Sequence, residues 1–511
     1  MAFEFLVPDD NVRSMIAVGV VTVVAVVLLT KLFRFIRFVR HFQNIPGVPN
    51  YSILYGNLHM LPKTGEGRIA FGRRNMETIN PRLTRMWWGP FRPNLAVFHP
   101  DTVKAVLKSS APKSRGFGHV YEHVLPWIGE GLIASNGATW ARSRRLLTPA
   151  FHFDILKPYV DIYNKAADTL FEKLDQYAET GESFDICPLM TMCTLEVILK
   201  CSMSYDEDVQ RKGPNAYAQA AKELLTLWSK RNRTMGMWPD FLFRLSSAGR
   251  TFYKNCDYVH KVAEEIIEKR RQLIEKDGRP KGRHLDFLDI LLTARDEDGN
   301  PMTTQEIRNE VDTFMFAGHD TTATGTPWII YSLAKSQEYQ TKVQAEIDEI
   351  LEGRDTNSIE WSDLAKLNTL QICIKEAMRL YPPVPFIQRT LNEPIELDGR
   401  LIPAGINITI AIIHLHRNPL VWDAPDEFRP DRFLPENMKD KDSFSFTPFS
   451  AGSRNCIGQN FALNEEKVLI GRIFQRYDVT VAPDGPPVLR SATAILKSDN
   501  GLWFRLKKRQ I

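Results

Sequence analysis

The sequence predicts a mainly α-helical body with small β-sheets, carried behind a single N-terminal membrane-anchoring segment. Three observations lead there. Met15 to Thr30 reads MIAVGVVTVVAVVLLT, an uncharged apolar run. Helical patterning with charged faces fills the middle of the chain, as in Val262 to Lys276 and Glu338 to Leu351. Strand signals are short and cluster early and late, so the sheets are small and sit to one side.

The anchor comes first. At about 1.5 Å per residue the run spans about 24 Å, short of the ~30 Å hydrocarbon core. Snorkelling by Arg13 and Lys31, with slight bilayer thinning, closes that gap. A cleaved signal peptide would want a basic start and a small-residue cleavage site. Here the start carries Asp9 and Asp10, and no A-x-A site follows. Lys31, Arg34, Arg37 and Arg40 lie just after the span and place the bulk of the chain on the cytoplasmic side. Between them Leu32, Phe33, Phe35, Ile36, Phe38 and Val39 predict an interfacial helix lying along the membrane. Ile45-Pro46-Gly47-Val48-Pro49 then breaks any helix. The expected division is residues 1–44 for anchor, basic interfacial segment and start of hinge, and 45–511 for one domain. In a cytosolic domain the sequons at Asn232 and Asn407 stay bare.

A chain of 511 residues, 43% hydrophobic and 25% charged, can bury a core and still enclose a cofactor and a large apolar pocket. No internal repeat or linker divides it. The net charge of +4 is too mild for a general nucleic-acid binder. A basic patch can still dock an acidic protein or lie beside anionic lipid. The six cysteines include no C-x-x-C pair, which weakens zinc and dithiol readings, and so sparse a set fits the cytosol.

Within the body, Arg85 to Phe98 carries two short strand-like runs around Gly89-Pro90. Asp277 to Arg283 (DGRPKGR) reads as an exposed loop. The longest helix is expected from about Thr304 to Ser336, roughly 50 Å. A Thr303/Glu306 capping box opens it, and Ile307, Val311, Phe314, Met315 and Gly318 follow at helical spacing. Its centre holds Gly318, Asp320-Thr321-Thr322, Gly325 and Pro327, all poor helix formers. A kink at Pro327 does not account for Asp320-Thr321; a functional groove does. Further on, Asp398-Gly399 within Glu396 to Leu401 predicts a tight hairpin.

Near the C-terminus stands Phe449-Ser450-Ala451-Gly452-Ser453-Arg454-Asn455-Cys456-Ile457-Gly458. Glycines on both sides of the cysteine let the backbone approach a flat macrocycle closely. Ile457 to Gln475 reads as a helix, so Cys456 stands at its N-terminus, where N–H groups and dipole favour thiolate. Such a sulfur can ligate haem iron axially and favour O–O cleavage.

The loop resembles the haem-binding signature of the cytochrome P-450 family, F-x-x-G-x-R-x-C-x-G, at every defined position. Glu376-Ala377-Met378-Arg379 is similar to the family's E-x-x-R helix. Arg432, in Phe428-Arg429-Pro430-Asp431-Arg432-Phe433, resembles the third member of that buried triad. Ala317-Gly318-His319-Asp320-Thr321-Thr322 resembles the oxygen-activation groove, and Trp140 with Arg144 the W-x-x-x-R helix. The likeness covers essentially the whole chain, anchor included. It implies the cytochrome P-450 fold and haem b ligated by Cys456, with Phe449 and Gly458 in the haem-binding loop. Trp140, Arg144, Arg389 and Arg454 would meet the propionates through N–H donors. Glu376, Arg379 and Arg432 would form a structural ion network behind the loop. Asp320 and Thr321 would deliver protons, the carboxylate feeding the hydroxyl through ordered water.

Narrower stretches resemble the family-four members that hydroxylate fatty acids near the ω end. They are Glu310-Val311-Asp312-Thr313-Phe314-Met315-Phe316 before the Gly-His-Asp, Trp127-Ile128-Gly129-Glu130-Gly131-Leu132, and Arg379-Leu380-Tyr381-Pro382-Pro383-Val384-Pro385. Many such relatives carry a glutamate immediately before the Gly-His-Asp that esterifies a haem methyl. This chain has Ala317 there, so non-covalent haem is expected, and in-chain hydroxylation or epoxidation comes within reach. Phe314, Ala317, Thr321 and Phe386 are the expected apolar pocket for an acyl chain.

No G-x-G-x-x-G follows a strand, so electrons must come from a partner. The resemblance points to the membrane-bound NADPH-dependent flavoprotein reductase, with cytochrome b5 as a second donor. Arg142, Arg145 and Lys441 are candidate contacts for its acidic surface. The expected setting is the endoplasmic reticulum membrane, crossed once, with the catalytic domain in the cytosol. The reactants would be O2 and a lipophilic small molecule, with no nucleic acid. Alternative readings are a haem-thiolate isomerase or synthase acting on lipid peroxides, a xenobiotic or sterol monooxygenase, and a non-catalytic haem or lipid binder. An isomerase would not need Asp320-Thr321.

Overall fold

The computed structural model describes residues 10–278 and 285–510. The expected loop at Asp277 to Arg283 lies, from residue 279 on, outside the described residues, as does Asp9.

The apolar run forms part of one continuous helix, α1 (Asp10–Gln43), whose stretch from Ser14 is long and apolar enough to cross a membrane. One expectation changes here. The basic segment is no separate helix; it continues α1, and only its later residues dock on the body, while Leu32, Phe33 and Ile36 stay exposed. Phe42 is fully buried with its ring edge-on to Trp87 at 5.3 Å, and Phe35 meets Phe91 at 5.8 Å. Aromatic side chains bury large areas, and the body offers these a fitted apolar surface. Past the break, Val48 N–H donates to the Arg85 carbonyl at 2.9 Å and ties the chain to the sheet.

That sheet has four strands in the order Leu83–Trp87, Pro93–Val97, Asn407–Ile410, Ile387–Thr390. The first two form the antiparallel hairpin expected around Gly89-Pro90, and Pro93–Val97 pairs in parallel with Asn407–Ile410. The second hairpin, Ile395–Leu397 with Arg400–Ile402, turns on Asp398 (φ 53°) and Gly399 (φ 68°). Two successive left-handed residues are what a two-residue turn needs to match strand twist.

The helical body is built from α2 (Gly65–Thr78), α3 (Gly137–Leu147), α4 (Tyr159–Thr180), α5 (Ile186–Ser202), α6 (Ala216–Arg233) and α7 (Ser247–Asp277). It continues with α8 (Thr304–Lys335), α9 (Asn368–Leu380) and α10 (Gln459–Arg476). Both bonds of the α8 capping box form: Glu306 N–H donates to Thr303 Oγ1 at 3.2 Å, and Thr303 N–H to Glu306 Oε2 at 2.7 Å. Pro327 does not end this helix. Its neighbour Trp328 is clamped, donating to the Leu496 carbonyl at 2.9 Å and stacking on Tyr381 at 4.3 Å.

Glycines set how closely α8 is approached. A Cβ on Gly318 would stand 2.6 Å from Ile198 of α5, and one on Gly325 would stand 2.9 Å from Glu466 Oε1 of α10. The loop Trp127 to Leu132 presses on the same helix, where a Cβ on Gly131 would collide with the Thr313 hydroxyl. Two large apolar cores result, with a small third cluster of Ile69, Ile413, Ala492 and Leu496. The helical one contains Val311, Phe314 and Ile198; the sheet one contains Leu95, Val97, Ile408 and Ile410. A cavity occupies the join between them.

Candidate active site

The cavity measures about 530 Å³. α8 supplies Phe314, Ala317 and Thr321 to its wall; the cysteine loop supplies Phe449, Arg454, Cys456 and Gly458; α3 supplies Trp140 and Arg144. Phe386 lines it from the sheet side. Asp320 and Arg389 do not face it.

Cys456 is the one cysteine on this wall. Its N–H donates to the Phe449 carbonyl at 2.9 Å, and Asn455 N–H to the Gly452 carbonyl at 3.1 Å, which fixes the turn. Gly452 is required by the protein itself: its φ is +75°, and a Cβ would lie 2.6 Å from the Leu107 carbonyl oxygen. Gly458 differs. Its φ is −88°, and the nearest atom to an added Cβ is Phe151 Cε1 at 3.6 Å, so no protein neighbour demands a glycine. α10 starts at Gln459, so the sulfur does stand at a helix N-terminus. The helix end and the Arg144 charge both act toward thiolate there. Burial raises the thiol, and the Gly458 N–H and the Arg144 charge only partly oppose it.

A second feature tests whether haem fits. Arg454 donates to the Ser135 carbonyl at 2.9 Å and to Asn136 Oδ1 at 3.2 Å, with its guanidinium 4.2 Å from the Trp140 ring centroid. Arg144 donates to the carbonyl and side-chain oxygens of Asn455, both at 2.8 Å. Arg389 is buried behind the wall and bonds the Gln388 carbonyl at 3.0 Å and the Tyr121 phenol. Lys113 Nζ approaches the same phenol at 3.2 Å. Burial and the nearby Arg389 and Arg454 charges push the Lys113 ammonium well down. Four cations thus gather with no carboxylate paired to any of them among the described residues. An anionic pair such as the two propionates of haem matches that deficit, and the donors fit the group.

Behind the loop the expected triad is assembled. Arg379 donates to both oxygens of Glu376, at 2.7 and 2.8 Å, and to the carbonyls of His416, Pro425 and Glu427. Arg432 Nε lies 3.3 Å from Glu376 Oε1, which also accepts the Arg429 N–H at 2.8 Å. His416 in turn accepts the Thr447 N–H at 2.9 Å, linking the network to the start of the cysteine loop.

The α8 pair divides. Thr321 faces the cavity and its hydroxyl donates to the Ala317 carbonyl at 2.8 Å. Asp320 turns to the other side and pairs with Lys497 at 2.6 Å. Phe314 serves both roles that its spacing allows, lining the cavity while packing 4.3 Å from Phe287. Of the candidate docking cations, Arg142 is already held by Asp296 at 2.8 Å and Glu306 at 2.7 Å. Lys441 donates to the Val421 carbonyl at 2.8 Å and lies over the Trp422 ring. Arg145 pairs with Glu297 at the exposed surface, so each of the three candidates already has a partner in the fold.

Several residues escaped sequence reasoning. Lys113 and Tyr121 belong to no motif, and only the sheet brings them to Arg389. Glu310 is buried and accepts the Leu132 N–H at 3.0 Å, and burial lifts its carboxyl to about 7. It holds the loop around Gly131 against α8. Glu466 lines the cavity from α10, and burial lifts its carboxyl to about 8.

A single thiol on a tight glycine loop, faced across an apolar cavity by a helix hydroxyl and flanked by unpaired cations, defines a haem-thiolate enzyme. The sequence model of the cytochrome P450 family matches residues 46–503, and the chain belongs to that family. It is 40% identical over 471 residues to human cytochrome P450 4F2, covering 90% of this chain and 89% of that protein. Mouse leukotriene-B4 omega-hydroxylase 3 is 40% identical over 468 residues, covering 90% and 88%. The human ultra-long-chain fatty acid omega-hydroxylase is 40% identical over 468 residues, covering 90% and 87%. The crystal structure of the cytochrome P450DA haem domain superposes with a TM-score of 0.79 at 24% identity, covering 91% of this chain and 98% of that one.

The protein is thus a monooxygenase that uses haem b, held non-covalently with a cysteine thiolate as axial ligand, together with O2, redox partners and a lipophilic substrate. Ala317 places a methyl group on the wall, and no ester to the macrocycle can form there.

Proposed function

We propose that this chain hydroxylates fatty acids or related lipids at or near the ω carbon, in the endoplasmic reticulum membrane. The observation that carries the reading is the placement of Thr321 and Cys456 on one apolar cavity. The names of the relatives give the substrate class, and α1 gives the membrane. In this reading residues 45–511 form the catalytic domain, on the cytosolic side of a single span. A membrane-bound NADPH-dependent flavoprotein reductase supplies electrons, with cytochrome b5 as a second donor. Arg145, more exposed than Arg142, is the sequence-named cation best placed to exchange its Glu297 partner for an acid of the reductase.

Haem bound through Cys456 supplies dioxygen activation and C–H oxidation. Arg144, Arg454 and Trp140 would hold its propionates, with Arg389 and Lys113 behind them. Phe314, Ala317 and Phe386 exclude water and confine an acyl chain by apolar contact. The Thr321 hydroxyl spends its proton on the Ala317 carbonyl, so its oxygen is free to accept from an ordered water. Asp320 is the carrier that refills that water. Lys497 holds it outside the wall, so each delivery needs the carboxylate to leave the ammonium and turn inward.

Reconstituted holoenzyme with reductase, NADPH and O2 should convert long-chain fatty acids to terminal or near-terminal alcohols. Turnover of lipid hydroperoxide without NADPH or O2, and none of fatty acid with them, would overturn the reading.

A further inference from the structure

Three arginines on the cavity wall have no part in the site described so far; Arg92 is taken up by the Trp238 ring at 4.6 Å, which leaves two. Arg68 comes from α2 and Arg233 from the last residue of α6, elements that carry none of the residues around Cys456. Both are half-buried. Arg68 donates to the carbonyls of Lys63 at 2.7 Å and Pro62 at 3.4 Å, while its Nε is buried without a partner. The Arg233 guanidinium makes no hydrogen bond and no ion pair among the described residues. Burial holds it down to about 10, and the Arg68 charge acts in the same direction. Asp499 acts on Arg68 only from beyond ion-pair distance.

Two guanidiniums that repel each other on the wall of an apolar cavity cost free energy unless an anion lies between them. Arg presents a planar fork that fits a carboxylate better than it fits a point charge. The rest of the lining is mostly apolar, so the matching ligand has one anionic head and a long hydrocarbon tail.

We infer that Arg68 and Arg233 bind the carboxylate of the fatty acid, so that the substrate lies head to α2 and α6 and presents its ω end to Thr321. The inference rests on the fatty-acid reading above and adds the direction of binding. It makes the distance from the arginine pair to Thr321, not tail shape, the selector of chain length and position. Neutral amphiphiles of equal length should bind by their tails alone, more weakly and in mixed register.

The test titrates holoenzyme with a long-chain fatty acid and with its methyl ester, reading the substrate-induced shift of the haem absorption band. In Arg68→Ala/Arg233→Ala the acid should weaken about tenfold or more, while the ester stays unchanged. Arg233→Lys, which keeps the charge and loses the fork, should fall between. The carbon monoxide difference spectrum of each variant confirms a folded haem-thiolate protein. Regiochemistry supplies a second readout, since the double variant should spread hydroxylation inward from the chain end. Equal loss for acid and ester, or no loss for either, overturns the carboxylate site while leaving fatty-acid hydroxylation intact. Loss of binding to phosphatidylserine vesicles with an unchanged acid titration assigns the pair to lipid headgroups and overturns it too. A wild type that neither binds nor oxidises fatty acid removes the reading beneath it.

Discussion

Charge is handled in opposite ways behind the cysteine loop and at the arginine pair. Behind Cys456 the Glu376 carboxylate takes two bonds from Arg379 and one from the Arg429 N–H, with Arg432 beside it. The spare donors of Arg379 end on three backbone carbonyls. Around Arg68 and Arg233 two like charges share an apolar wall with no acid between them. A saturated network binds nothing further and holds geometry; an unsaturated one is a site awaiting a counter-ion. The cations near the cysteine loop, Lys113, Arg144, Arg389 and Arg454, belong to the second kind, since none is paired with a carboxylate among the described residues.

The sharpest way to break this contrast is to unsaturate the saturated side. Glu376→Gln leaves Arg379 and Arg432 buried without a counter-charge, which typically costs about 3–5 kcal/mol. Expression should fall, and the reduced carbon monoxide complex should show no haem-thiolate band. Wild-type haem content and thermal midpoint in this variant would remove the network's structural role. Arg379→Lys keeps the charge but loses the fork to two oxygens and three carbonyls, and should behave almost as badly.

Thr321→Ala acts on function alone. Removing the hydroxyl leaves folding, haem content and lipid binding near wild type. Product per NADPH should drop several-fold, with the difference recovered as peroxide. Unchanged coupling would remove Thr321 from proton delivery. Lys497→Ala removes the ion pair that holds Asp320 outside the wall and should change product per NADPH without altering the haem spectrum.

Lys113→Met separates the two kinds of charge handling by its sign. If the ammonium serves a haem propionate, the variant should release haem several-fold faster to an acceptor protein. The same change deletes a buried charge that lacks a carboxylate partner, so the apoprotein should be more stable, not less. Loss of stability in both forms would make Lys113 a packing residue.

What the sequence revealed follows the same line. Motifs set by short spacing were legible: the cysteine loop, the capping box at Thr303, the Asp398-Gly399 hairpin and the triad residues on α9. Each depends on neighbours within a turn or a loop, or on a family pattern that preserves them. Lys113, Tyr121, Arg68 and Arg233 were not legible, because they acquire meaning only when sheet and helices converge on one cavity. The direction of a helix side chain was also hidden. Asp320 and Thr321 are adjacent and so about 100° apart on α8, and here only Thr321 faces the cavity. The basic segment after the anchor misled for a tertiary reason. Aromatic rings suit lipid and protein equally: Phe35 meets Phe91 and the following Phe42 meets Trp87, while Phe33 stays exposed.

The smallest expected effect concerns Glu466, whose buried carboxyl is lifted from 4.5 to about 8. Its Oε2 has no hydrogen-bond partner, and the neighbouring Glu465 carboxyl is also lifted by burial and by Glu466 itself. Between pH 4.5 and pH 8 the folded protein keeps a proton on Glu466 that the unfolded chain has released. Stability therefore declines as pH rises through that window, and the Glu466 share of the decline ends near the upper value. Glu466→Gln keeps the shape and never ionises, so the variant and wild type should melt together near the bottom of the window. Near its top the variant should melt higher, by about 1–3 °C. Part of the slope must survive, because Glu310, lifted to about 7, and Glu465 hold protons in the same sense. A variant that melts below wild type at the top of the window would mean that Glu466 is ionised in the fold. It would then join the saturated charges behind the cysteine loop, and its carboxylate would require a cation partner on the α10 face of the cavity.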